Sequence, residues 1–189
     1  MQAGLPAFLR AGARLQNRAR PDIINQYHLP VGHNEEVAYM PDLNELRKIL
    51  LKVQKPARYT GGEPGCVYKD KKDVQLRFAF CFPDTYEVGM SFLGMKILYE
   101  ILNDRGEFWC ERVFMPWVDM KAEMEQQGVP LYALESKDPL SAFDVVGFTL
   151  QYELSYTNIL AMLQLGGIPL LASQRGEAAP FVVAGGPCA

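Results

Sequence analysis

Histidine is nearly missing from this chain: of 189 residues only His28 and His33 carry imidazole. Both precede the patterned part of the sequence, so neither is placed to serve there as a general base or a metal ligand. The four cysteines, at positions 66, 81, 110 and 188, stand far apart with no CxxC. That spacing offers no close ligand set for zinc or an iron–sulfur cluster. No metal site is expected. There is no GxxxxGK[ST] and no GxGxxG, so a simple phosphate or dinucleotide cradle is unsupported. No apolar stretch reaches the roughly 18–20 residues that cross a bilayer, and no secretory h-region follows the N-terminus. A net charge of −3 without a Lys/Arg stripe gives nucleic acid no surface to bind. What remains, 49% hydrophobic and 22% charged, has the composition of a soluble globular protein, and reduced core thiols at Cys81 and Cys110 imply a cytoplasmic address.

Residues 1–39 carry Arg10, Arg14, Arg18 and Arg20 within an acid-free first twenty and show no sustained apolar face. They read as a tail, either an extension before a true start at Met40 or a leader of the organelle-transit kind. Residues 40–73 read as one short amphipathic helix followed by an irregular arm. Leu43, Leu46, Ile49, Leu50 and Val53 keep helical spacing, with Asp42 and Glu45 as a capping pair. Pro56 ends that helix, and Gly and Pro punctuate the arm.

From residue 74 a strand–helix rhythm takes over. Val74–Phe82 begins by alternating and becomes wholly apolar, the pattern of a strand entering a covered parallel sheet. DTYEVG, residues 84–89, follows as a turn, and Met90, Leu93, Gly94, Ile97, Leu98, Ile101 and Leu102 then predict an amphipathic helix. Trp109–Met115 is a second strand, and the segment from Pro116 to Gly128 a second helix. Val129–Leu134 reads as a short extra strand, Pro139–Phe143 as a helical turn, and Asp144–Leu150 as the third main strand. Leu154–Leu165 is a helix apolar nearly all round, which predicts burial on more than one side, and Phe181–Ala184 is a fourth, buried strand. This order specifies an α/β fold with a doubly wound, mostly parallel sheet of Rossmannoid type. A fifth strand and closing helix would be customary, so residues 74–189 read as an incomplete domain, of marginal stability in isolation.

Three strand ends carry distinctive residues: DTYEVG after the first, Thr149 to Gln151 after the third, and Gly185–Gly186 after the fourth. Strand topology puts all three on one edge of the sheet, where such folds collect ligands. The plainer readings are structural. Asp84 with Glu87 can cap a helix, Tyr86 can pack over the strand edge, Thr149 can cap the next helix, Gly185–Gly186 can make a tight turn, and Tyr152, Glu153 and Tyr156 can be rim residues. The methionines at 90, 95, 115, 120, 124 and 162 fit core filling better than a cofactor box, and Cys188 need have no chemistry.

The order DxYxxG, hydroxyl, GG resembles the cobalamin-binding domain, whose signature is DxHxxG, SxL and GG. From about Met40 onward the chain is more closely similar to the N-terminal, B12-binding-like domain of a bacterial radical-SAM protein family, through KPARYTGGE (55–63), FPDTYEVGMSFLG (82–94), WCERVFMPW (109–117), DVVGFTLQYELSYTN (144–158) and VVAGGPCA (182–189). The resemblance implies a flavodoxin-like fold that holds cobalamin beside a downstream barrel, and it is that barrel which would carry a CxxxCxxC-bound 4Fe-4S cluster and S-adenosylmethionine. Cofactor-binding positions implied here are Asp84, Tyr86, Gly89, Thr149, Gln151, Gly185 and Gly186. Tyr86 stands where the cobalt-ligating histidine would be, and a phenol of pKa about 10 is a poor substitute for imidazole. Gln151 replaces the leucine of SxL. The implied function is a corrinoid-binding module that supplies no histidine ligand and has no turnover of its own, its partners being the corrinoid and its own downstream domain. The alternatives are a degenerate, non-binding docking domain of the same enzyme, or an independent flavodoxin-like protein binding flavin or another small ligand.

Overall fold

The computed structural model describes residues 43–189. The expectations for residues 1–39, His28, His33 and the Asp42 cap lie outside them. Helix α1, Leu43–Leu50, buries Leu46 and Ile49 and lies against α4, Val118–Gln127. A 3-10 turn at Pro56–Tyr59 starts the arm. The arm is irregular but firmly tied: the Val67 amide donates to Tyr99 Oη at 2.8 Å, Trp109 Nε1 donates to the Val67 carbonyl at 3.0 Å, and Lys69 Nζ donates to three carbonyls, of Asn103, Arg105 and Phe108.

Four strands form one wholly parallel sheet in the order β2–β1–β3–β4. They are β1, Leu76–Phe82; β2, Phe108–Phe114; β3, Val145–Thr149; and β4, Phe181–Gly185. This is the doubly wound, flavodoxin-like α/β order, with helices between parallel neighbours. Side chains alternate between the two faces of each strand. Ala79 and Cys81, with their register partners Val146 and Phe148, join Val113, Met120, Met124, Met162 and Leu163 in the main core. The opposite face carries Phe78, Phe80 and Phe82 and is covered by the helices that follow β1. Cys81 and Cys110 are fully buried free thiols, and burial pushes the pKa of both well up.

The sheet corrects several expectations. The helix predicted from Met90 is two helices, α2 at Tyr86–Ser91 and α3 at Leu93–Asn103, broken at Phe92, whose backbone is extended. The break resets the helical phase, so Met95, Tyr99 and Leu102 face the sheet while Leu93, Ile97 and Ile101 are exposed. Val129–Leu134 is not a strand. It runs beside the free edge of β2, with the Leu134 amide donating to the Arg112 carbonyl at 2.8 Å, and only Tyr132 forms a bridge, to Pro139. Helix α5, Tyr156–Leu165, buries Met162 and Leu163 but leaves Leu160 half exposed, so it is covered on one side only. Phe181 is 54% exposed, because β4 is an edge strand bonded to β3 alone. No described helix is long and apolar enough to cross a membrane.

Candidate functional site at the carboxyl edge of the sheet

Every residue expected at the strand ends is there, and nearly every one is held by another part of the chain. Asp84 does not cap α2: the N-cap is Thr85, without a side-chain bond, and Glu87 pairs instead with Arg58 and Lys55. Asp84 Oδ1 accepts from the Thr85 amide at 2.6 Å, and Oδ2 accepts from the hydroxyl of Tyr152, which lies 68 residues further on. That bond joins the end of β1 to the loop after β3. The carboxylate as acceptor, with partial burial, raises the Tyr152 phenol to about 12.

Tyr86 lies in the first turn of α2, its ring edge-on to Phe114 with centroids 5.4 Å apart. Its hydroxyl donates to Glu63 Oε1 at 2.6 Å. Burial and that carboxylate push the phenol up to about 12, so it stays protonated at neutral pH. Residue 86 is therefore directed to the arm. Gly89 serves packing: a Cβ there would lie 2.2 Å from Phe114 Cε1 and 3.1 Å from Phe82 Cγ. Thr149 and Gln151 are bonded to each other, Gln151 Nε2 donating to Thr149 Oγ1. Gly185 is in register with Thr149 and its carbonyl accepts from the Leu150 amide at 2.8 Å. Gly186 has φ +140, and a Cβ would sit 2.3 Å from the Leu150 carbonyl oxygen, so only glycine fits that close approach. Tyr156 Oη donates to the Cys188 carbonyl at 2.7 Å, a rim contact as expected.

Beneath Tyr86 is a cluster that the motifs did not indicate. Arg112, in the middle of β2, donates through Nε to Glu135 Oε1 at 2.6 Å and through Nη2 to Glu63 Oε2 and Cys66 Sγ, both at 2.8 Å. Glu135 also accepts from the Arg112 amide and from Tyr99 Oη. Burial works against the Arg112 charge, yet the two carboxylates outweigh it and hold its pKa above the usual guanidinium value. On the opposite face Glu111, fully buried, pairs with Arg77. Adjacent charges in an apolar strand, WCERVF, were the visible signal, because charges inside a sheet require partners.

Glu63 gives this cluster a pH dependence. Burial alone would raise its pKa, but donors from Tyr86 and Cys66 with the Arg112 charge hold it at about 2. A depressed carboxylate contributes stability above its unfolded pKa and loses it as pH falls through the folded one. Acid is therefore expected to loosen the arm from pH about 4.5 down to about 2. In Glu63→Gln this part of the acid unfolding profile should flatten, measured by circular dichroism from pH 6 to 2; a profile identical to wild type would contradict it.

The fold and the strand-end residues together define a flavodoxin-like α/β domain with a polar rim at the carboxyl edge of its sheet. Its family is that of the N-terminal domain of radical SAM proteins: a family model described as "Radical SAM proteins, N-terminal" matches residues 94–189, more than half of the chain, and the chain belongs to it. No curated protein and no solved structure matches.

Proposed function

We propose that this domain is the N-terminal module of a radical SAM enzyme and that its strand-edge rim receives a corrinoid without giving cobalt a protein ligand. The observation that supports this reading is convergence. Asp84, Thr149 and Gln151 bring a carboxylate, a hydroxyl and an amide to the edge where Gly185–Gly186 turns, at the ends of β1, β3 and β4. Such donors and acceptors complement the amide-bearing periphery of a corrin ring. Tyr86 does not fit a role beneath cobalt, since its ring lies against Phe114 and its hydroxyl on Glu63. The 4Fe-4S cluster and S-adenosylmethionine belong, in this reading, to the catalytic part of the enzyme, and a corrinoid bound here would supply a reactive cobalt centre to it. The residues of this domain, in this reading, bind and orient.

Titration of the intact protein with hydroxocobalamin, followed by desalting, tests the proposal. The expected result is about one retained equivalent with a changed absorbance spectrum. No retention and no spectral change would favour the second reading, a docking domain that binds no cofactor. That reading is supported by the engagement of each candidate side chain within the protein itself.

A further inference from the structure

We propose that Tyr152 is the gate of this site: its hydroxyl, bonded to Asp84, closes the crevice between β1 and β3, and a ligand enters only when that bond opens. The inference rests on the corrinoid reading for its ligand but on the fold for its place. In the order β2–β1–β3–β4 the chain leaves β1 towards one edge of the sheet and leaves β3 towards the other. The helices after these two strands therefore cover opposite faces, and the loops diverge between them, which is where open α/β sheets admit ligands. The Tyr152–Asp84 bond spans that gap. The backbone of Tyr152 is held separately, its carbonyl accepting from the Ser155 hydroxyl at 2.7 Å and the Ser155 amide at 3.2 Å, so Asp84 is the partner of the side chain alone.

The rim behind the gate has the features of a closed, self-satisfied state. Thr149 and Gln151 occupy each other, and Asp84 has one oxygen on the Thr85 amide and the other on Tyr152. A second link, Asn158 Nδ2 donating to the Pro83 carbonyl at 2.9 Å, ties α5 to the end of β1 and does not depend on Tyr152. Opening the gate thus frees the Asp84 carboxylate and the crevice mouth without separating the two loops. The bond is charge-assisted, the kind that contributes more than a neutral one. A protein whose binding-competent state is a minor one binds more weakly by the fraction populated, and a change that favours opening restores the affinity.

Tyr152→Phe removes the hydroxyl and keeps the ring. Compared with wild type it should bind hydroxocobalamin about ten- to a hundredfold more tightly, the factor that a lost charge-assisted bond corresponds to. Tyr68→Phe, a change on the exposed arm, should leave the affinity unaltered. Hydrogen exchange of the ligand-free proteins provides a readout that needs no corrinoid: the Thr85 amide, bonded to Asp84 Oδ1, and the Ser155 amide, bonded to the Tyr152 carbonyl, should exchange faster in Tyr152→Phe by a comparable factor. Unchanged exchange overturns the gate whatever the affinity. Faster exchange with weaker binding also overturns it, since Tyr152 would then be a ligand contact. Faster exchange with no hydroxocobalamin retained by either protein leaves the gate standing and removes the corrinoid reading.

Discussion

Replacing Arg112 by methionine is expected to destabilise the protein by about 3–5 kcal/mol, the usual loss when one member of a buried ion pair is removed. The side chains of Arg112 and Glu135 are 8% and 0% exposed. Without the guanidinium, Glu135 keeps its bonds from the Arg112 amide and Tyr99 Oη but loses the positive charge that opposes its desolvation. Burial raises the Glu135 pKa even with Arg112 present, so the carboxyl in the variant should take up a proton, which places the loss near the lower end of the range. The arm also loses its anchor, because Glu63 and Cys66 bond the same Nη2. Adding Glu135→Gln should recover part of the stability, since the neutral amide removes the buried charge at 135 while the less buried Glu63 stays without its partner. Urea denaturation of the three proteins checks this; a single-variant loss below about 1 kcal/mol, or no recovery in the double variant, would contradict the assignment.

The second large effect is expected at Gly89. Alanine there would gain helix propensity of up to about 1 kcal/mol, but its Cβ would overlap the Phe114 ring at 2.2 Å from Cε1 and 2.6 Å from Cδ1. Phe114 is buried at the end of β2 and carries the Tyr86 ring on its edge, so it cannot move without displacing Tyr86 from Glu63. Overpacking of this kind costs about 1–3 kcal/mol, and Gly89→Val should cost more than Gly89→Ala. Thermal denaturation should give a lower Tm for both. A Tm equal to or above wild type would mean that the helix approaches the sheet less closely than described.

The two glycines show what kind of information the sequence held. Gly89 matches the last position of a cofactor motif, and its function in this fold is helix–sheet contact; Gly186 matches the glycine pair, and it permits the backbone to approach Leu150. Both positions were legible as places where a side chain cannot fit. What must come close was not legible, because a motif specifies small size and not the neighbour. The four main strands were readable to within two residues from their apolar runs, and their parallel pairing followed from the strand–helix rhythm. The phase of α3 was not readable, since Leu93, Ile97 and Ile101 form a stripe as regular as the buried one, and the break at Phe92 decided between them.

The candidate site was legible as a set of positions and illegible as a set of bonds. Asp84 and Tyr152 are far apart in sequence, and no local spacing announces their contact. Tyr86 and Glu63 are likewise joined only by folding, which brings the arm across the end of β2. Glu111 and Arg112 could have been found, because two charges within an otherwise apolar strand demand buried partners; their partners on the arm and in the segment after Gly128 could not. These long-range contacts turn Tyr86 from a substituted ligand into an anchor for the arm.

The most direct test of the account is to locate the corrinoid on the protein. Hydrogen exchange of the intact protein with and without hydroxocobalamin should show protection confined to the three strand ends, at residues 84–89, 149–152 and 185–188. Protection elsewhere, or none under conditions where the corrinoid is retained, would contradict the placement of the site at the carboxyl edge of the sheet.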